Sequence, residues 1–366
     1  ISNARTALIT DVTQPGLGML TCQFRYSCRR GCPYGAYFSS NSSTLPAADA
    51  TGNMTLMPNS IVHEIIYDEE NKKAKGVRVI DAENNQSYEY YAKVIFLCSS
   101  TVPTTSILMQ SKSNRFPNGM GNDSGELGHN IMDHHFQVGA SGTFDGFKNK
   151  TTYGRKPAGF FIPRFRNIGG STNRKDFIRG YGYQGGANRG FMSIADSKEE
   201  LVSYGPRFKE NIVKQDEWTA SMNGFGEILP YHDNKMTLNY EKKDQWGLPT
   251  VTFDAKIREN EMTMRKDMKI QAQEMLERSG FKNVSGYERE YVFGNGIHEM
   301  GTARMGNDPK TSVLNGNNQI HDVKNVYVTD GACMTSAGNQ NPSITYMALT
   351  ARAVNHAVEE LNKQNI

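Results

Sequence analysis

Cysteine is scarce, with five in 366 residues, which excludes a disulfide-stapled scaffold. Long hydrophobic runs are missing too. The best, Val94 to Cys98, falls far short of the roughly 18 residues a membrane-spanning helix needs. Neither charge sign dominates. Lys and Arg total 41 against 38 for Asp and Glu, which excludes a nucleic-acid binder driven by phosphate neutralisation. The N-terminus has no basic n-region and no apolar h-region, so no secretory leader is visible. Ile1-Ser2-Asn3-Ala4 reads as the middle of a larger protein. What is there suits a globular chain of two or three domains with a sizeable core. Glycine is plentiful at 35 residues, above the average share of about 7%, and clusters between short strands.

Residues 54–110 carry α/β grammar. Strands are predicted at Met54–Met57, Ile61–Tyr67, Gly76–Ile80 and Tyr88–Tyr91, with polar turns between them. Lys93–Leu97 is apolar from Val94 onward, as in a strand buried on both faces of a parallel sheet, and a helix follows over Pro103–Gln110. From Phe136 to Phe253 the pattern changes to short aromatic-rich strands, at Gly159–Arg166, Gly180–Gln184 and Lys235–Leu238. That texture predicts an antiparallel sheet in a separate domain. A helix over 260–279 carries Met264, Met268, Ala272 and Met275 at helical spacing, a core-packing stripe. Near the C-terminus a strand over Asn325–Thr329 ends in Asp330-Gly331. Asn341 is the expected N-cap of a last helix, with Pro342 at its first position. Ile344, Met347, Ala351, Val354, Val358 and Leu361 form one apolar face of that helix.

Two segments carry chemistry. In Gly296-Ile297-His298-Glu299-Met300-Gly301-Thr302-Ala303-Arg304-Met305-Gly306 a histidine stands beside a glycine-rich turn. Histidine titrates near neutrality and can serve as a base, although a lone one is more often a satisfied polar group. Asn341 at a helix start offers an amide and the positive end of a dipole. The second segment is Cys22, Cys28 and Cys32-Pro33, three thiols within eleven residues. That pattern suits an iron–sulfur site. Free thiols or a disulfide in a turn remain alternatives, and zinc would want a fourth ligand. His129, Asp133, His134 and His135 could suggest a metal site, but adjacent His134 and His135 point different ways in any regular element. Cys98 and Cys333 read as packing residues.

The C-terminal stretch resembles the glucose-methanol-choline (GMC) oxidoreductases. The resemblance rests on His298-x-x-Gly301-Thr302-x-x-Met305-Gly306, on Asp330-Gly331 after a strand and on Gln340-Asn341-Pro342. Gly125-x-x-Gly128-x-Asn130-x-Met132-Asp133-His134 matches as well, and the likeness runs along essentially the whole chain. It is nearest to a bacterial branch of glucoside 3-dehydrogenase-like and sugar dehydrogenase subunits. It implies an α/β fold, with an FAD-binding, incomplete Rossmann-like domain interrupted by an antiparallel-sheet substrate domain. The expected divisions are 1–136 and 291–366 for the FAD-binding parts and 137–290 for the substrate domain. The implied catalytic pair is His298, which takes the hydroxyl proton, and Asn341. The implied cofactor contacts are Val62 near the adenine, Asp330, Gly331, Asn341 and Pro342. The cysteine loop resembles the three-iron cluster loop of flavin sugar dehydrogenases, so a 3Fe-4S cluster on Cys22, Cys28 and Cys32 is implied. Related sequences often carry another cysteine where Arg25 stands.

One departure is large. The family's opening Gly-x-Gly-x-x-Gly, which seats the FAD pyrophosphate on a helix N-terminus, is absent. Gly119-x-Gly121 has the wrong spacing and follows no predicted strand. The chain therefore reads as truncated or split, with a second chain expected to supply the unit, or as an FAD-free piece without activity of its own. The implied substrate is a sugar or glycoside, oxidised at a secondary alcohol by a dehydrogenase; an oxygen-reducing oxidase is the other outcome. A cytochrome or small subunit is the implied electron acceptor, and the resemblance favours a periplasmic over a cytoplasmic location. Tyr153, Arg155, Tyr181, Tyr183, Gln184, Trp218 and Trp246 are candidates for a carbohydrate pocket, of which two or three are expected to reach it while most of the aromatics suit a core equally, with Glu227 as a carboxylate for a sugar hydroxyl.

Overall fold

A computed structural model of the chain describes residues 1–3, 7–10, 20–25, 28, 31–150, 159–189, 205–206, 209 and 217–366. Tyr153 and Arg155 lie outside the described residues. The chain divides into two compact units. One comprises 1–56, 137–225 and 263–290, the other 57–136, 226–262 and 291–366. The segment 226–262 thus clusters apart from the rest of the 137–290 stretch, and 1–56 clusters with it.

In the first unit a six-stranded sheet has the order β1-β7-β8-β9-β6-β12. Its strands are Ser2–Asn3 (β1), His134–Phe144 (β6), Phe160–Ile162 (β7), Tyr181–Asn188 (β8), Trp218–Glu227 (β9) and Lys282–Glu288 (β12), and the short helix Thr44–Asp49 (α1) belongs to the same unit. Alternate residues point to one face: Val138 and Ala140, Tyr181 and Tyr183, Ala220 and Met222. Against that face lie Met264, Met268, Ala272 and Leu276 from the helix Glu259–Arg278 (α3). The methionine stripe is core, as its spacing predicts, although Met275 only borders the cluster. Tyr181 and Tyr183 are fully buried, donating to Asp267 Oδ2 and the Met268 carbonyl, each at 2.6 Å. Arg166 adds a two-pronged pair to Asp267 at 2.8 and 3.0 Å. These tyrosines hold the helix to the sheet and are not pocket walls, so of the two uses open to them they serve as core.

The second unit is built on two short layers. Ser60–Asp68 (β2), Lys73–Asp81 (β3) and Ser87–Tyr91 (β4) form an antiparallel sheet. Ile95–Leu97 (β5) runs parallel to Val323–Val328 (β14), which also pairs with Gln319–Ile320 (β13). Among the described residues β5 has a strand on one side only. The segment 54–57 is not a strand; it is mostly exposed and leads into Pro58, which cannot donate to a ladder. Behind the parallel pair packs Thr101–Gln110 (α2), whose Ile107 and Leu108 enter a core with Leu97, Phe116, Met120, Val326 and Val328. Lys235–Lys243 (β10) and Pro249–Asp254 (β11) make a separate hairpin in this unit rather than strands of the larger sheet.

A buried asparagine joins the layers. Asn325 on β14 accepts from the Ala74 N–H at 3.0 Å and donates to the Ala74 and Lys93 carbonyls at 2.7 and 3.0 Å. Asn325→Leu leaves three backbone groups without partners and is expected to cost about 2–3 kcal/mol in urea unfolding. A loss below about 0.5 kcal/mol would show that water replaces the amide.

The last helix, Ser343–Asn362 (α4), begins one residue later than predicted, with Pro342 as N-cap and no side-chain cap. Its apolar stripe faces outward. Ile344 is 77% exposed, and Met347, Val354 and Val358 are exposed as well. The buried side is a neighbouring one, where Ala353 and Ala357 meet Tyr327.

Candidate active site

The loop that carries His298 is fixed by one carboxylate. Asp133 is fully buried, and its Oδ1 accepts from the backbone N–H groups of His134 at 2.7 Å and His298 at 3.1 Å. Its Oδ2 accepts from the Tyr291 hydroxyl at 2.9 Å and from the Gly294 and Gly296 N–H groups at 3.1 and 2.9 Å. Charge-assisted bonds of this kind are about twice as strong as neutral ones. Glycine is required around them. A Cβ on Gly296 would lie 2.2 Å from Asp133 Oδ1, and one on Gly301, at φ +90°, would lie 2.1 Å from the Asn130 carbonyl. Between them Ile297 is held at φ +52° with its side chain 78% exposed, a strained geometry for a β-branched residue.

This loop delivers His298 to a second imidazole. His298 Nδ1 lies 2.8 Å from His134 Nδ1, and the rings meet edge to face with centroids 4.9 Å apart. His134 is fully buried, and its Nε2 faces the carbonyls of Gly338 at 3.1 Å and Ala337 at 3.3 Å. Burial, then the neighbouring His298, pull His134 down to about 4. Burial also holds half-buried His298 below the ordinary histidine range, against the opposing charge of Asp133.

The pH consequence has a definite sign. His134 is neutral in both folded and unfolded chains above about 6.5, so its stabilising contribution is complete there. Below that pH the unfolded chain takes up a proton that the folded one refuses. Stability is therefore expected to fall by about 3 kcal/mol between pH 6.5 and 4. Urea midpoints of wild type and His134→Asn across that range check this; parallel slopes would contradict it.

The expected cofactor contacts are placed unevenly. Val62 lines a groove of about 500 Å³ with Val77, Tyr90, Tyr91, Phe96 and Cys98, along β5. Asp330 is nearly buried, and its carboxylate is used internally, accepting from Thr104 Oγ1 at 2.5 Å and the Ala332 N–H at 2.9 Å. It shapes the turn after β14, and Gly331 packs in that turn against the Glu299 carbonyl and Thr101. Asn341 is exposed in the loop entering α4, and the imidazole placed against His298 is that of His134. The two are linked through the chain, since the loop that carries Asn341 supplies the carbonyls facing His134. These residues are compatible with FAD: an open groove runs along β5 beside Val62, and the start of α4 has no side-chain cap.

Cys22, Cys28 and Cys32 are free and half-buried, and among the described residues no group of three or more His, Cys, Asp or Glu could hold a metal ion. His129 stacks on His232 with ring centroids 4.2 Å apart, and its Nδ1 lies 2.7 Å from the His232 carbonyl. Cys333 is core, whereas Cys98 is exposed beyond the end of β5, where its Sγ lies 3.3 Å from Thr329 Oγ1. Glu227 is buried at the end of β9 and Gln184 is half-buried on β8. Trp218 donates to the Phe147 carbonyl at 3.2 Å and lines a 220 Å³ pocket with Phe144, Lys148 and Arg189. Trp246 sits in the β10–β11 turn.

Two models of a family described as GMC oxidoreductase match residues 19–136 and 230–350. The chain is 29% identical over 332 residues to 2-methyl-1,2-propanediol dehydrogenase of Mycolicibacterium austroafricanum, covering 88% of this chain and 57% of that protein. It is 24% identical over 353 residues to the fructose dehydrogenase large subunit of Gluconobacter japonicus, covering 96% and 62%. A solved formate oxidase of Aspergillus oryzae, studied for its FAD modification, superposes with a TM-score of 0.60 at 16% identity. That match covers 88% of this chain and 64% of that one. The chain thus spans about three fifths of the length of the relatives it matches.

Proposed function

The chain belongs to the GMC oxidoreductase family, and on that premise we propose that it serves the FAD-dependent oxidation of a secondary alcohol on a sugar, glycoside or related polyol. The observation that carries this reading is the histidine pair, in which His298 is held on a loop locked by Asp133 and backed by buried His134. Alcohol oxidation needs a base within hydrogen-bond reach of the O–H, and His298 keeps Nε2 for that task because Nδ1 is engaged. FAD, when bound, supplies the hydride acceptor. The residues that would hold it are Val62 along the groove, Gly331 at the turn after β14, and the first-turn N–H groups of α4 entered by Asn341 and Pro342. A helix N-terminus there favours negative charge at the pyrimidine end. The vicinal hydroxyls of the named substrates of the two relatives support a polyol substrate, and their names support a dehydrogenase. One relative is named as a large subunit, which supports a partner subunit as electron acceptor.

The glycine-rich unit for the pyrophosphate comes, in this reading, from polypeptide outside residues 1–366. The one-sided edge of β5, the groove beside it and the exposed apolar stripe of α4 support such a partner. The same surface favours a second reading, in which these residues alone bind no FAD and turn over nothing. An absorption spectrum after mixing with FAD and desalting separates the two. Retained flavin bands on residues 1–366 alone would contradict the need for the unit. Bands that appear only when the unit is joined to the chain are the expected result. Their absence even then would remove the flavin reading.

A further inference from the structure

The geometry points to His134 as the residue that fixes the proton of His298 on Nδ1 and so leaves Nε2 bare to act as base. This positioning role rests on the reading of His298 as the catalytic base. The argument runs from the carbonyls outward. His134 Nε2 faces two acceptors, the Gly338 and Ala337 carbonyls at 3.1 and 3.3 Å, and a carbonyl can only accept. Nε2 of His134 must therefore carry a proton. The ring is fully buried, and His298 and Asp133 are titratable groups beside it. Burial keeps it neutral near pH 7, so its Nδ1 holds a lone pair. That lone pair lies 2.8 Å from His298 Nδ1, which must then be the donor. Neutral His298 has one N–H, and with that proton on Nδ1 its Nε2 is an acceptor.

With FAD bound as the hydride acceptor, the alcohol O–H proton would pass to His298 Nε2. The resulting imidazolium keeps its Nδ1–H bond to His134, so the reacting ring need not turn. His134, the first histidine of the Asp133-His134-His135 segment, thereby acquires a use that its sequence position does not reveal.

Nitrogen-15 NMR of histidine-labelled chain near pH 7.5 reads the tautomer directly, with and without flavin. Wild type is expected to show His298 protonated at Nδ1 and bare at Nε2. A proton on Nε2 of wild-type His298 would overturn the inference, whatever the variants do. His134→Leu removes the acceptor and is expected to mix the tautomers. In the flavin-loaded protein it should lower kcat roughly 10- to 100-fold, part of what a positioned base contributes, with KM within about twofold. In His134→Asn the amide oxygen can accept from Nδ1 and the NH2 can reach the carbonyls, so most of the rate should return. A His134→Leu protein with the wild-type tautomer and rate would also sink the role. If the tautomer is as stated but His298→Ala leaves the rate intact, the base reading falls and the tautomer assignment stands.

Discussion

Asp133→Ala is expected to destabilise the unit that carries His298 by about 3–5 kcal/mol, more than any other single change considered. The carboxylate is fully buried and accepts from His134, Tyr291, Gly294, Gly296 and His298. Removing it leaves these donors facing a cavity, where each unpaired buried group costs about 1–3 kcal/mol before the loop relaxes. Relaxation keeps the total below the sum. The loop bears the change first. Amide exchange at Gly294, Gly296 and His298 should lose protection while β14 stays protected. Asp133→Asn should fall in between, because one oxygen still accepts while the NH2 opposes the remaining N–H groups. Thermal unfolding should drop by roughly 10 °C for alanine. A shift corresponding to less than about 1 kcal/mol would mean that the loop holds its shape without the carboxylate.

His298→Ala has the largest expected effect on rate. In the flavin-loaded protein alcohol oxidation should fall by roughly 10²–10⁴-fold, the usual worth of a positioned acid–base group. Flavin content should stay within a few per cent, because the ring faces His134 and lies apart from the groove along β5. The loss should sit in kcat, since the base acts on the transition state and contributes little to ground-state binding. Because burial holds His298 below the ordinary histidine range, the wild-type rate should rise with pH through a pKa under about 6.5. A flavin-replete His298→Ala enzyme with a near-normal rate would remove the assignment.

Much of the fold was legible because periodicity and burial agree. The strands of 60–91, the helix over 259–278 with its methionine stripe and the run 323–328 all follow hydrophobic spacing. Residues 54–57 failed because four residues with an apolar bias look alike in a strand and in an extended loop. The stripe on α4 was read correctly as apolar, but periodicity cannot say what covers it, and here Ala353 and Ala357 make the contact instead. Sequence leaves Tyr181 and Tyr183 open because an aromatic next to glycines suits a pocket and a core equally; only their bonds to Asp267 and Met268 decide. In the site, His298 was legible from its glycine-rich motif. Asp133 and His134 were noticed in the sequence, but their roles depend on contacts across more than 150 residues, which no local pattern encodes. The spacing of the three cysteines permits a cluster, but spacing alone does not say where three thiols point.

The central claim is that this chain serves flavin-dependent oxidation of a carbinol, and anaerobic reduction of the bound flavin tests it most directly. The chain joined to the glycine-rich unit and loaded with FAD would be mixed, without oxygen, with fructose, gluconate, glucosides and 1,2-diols. The account predicts that at least one of these bleaches the visible flavin band, and that His298→Ala slows the bleaching by at least about 100-fold. A flavin that dithionite reduces but that stays oxidised with every alcohol in the panel would contradict it.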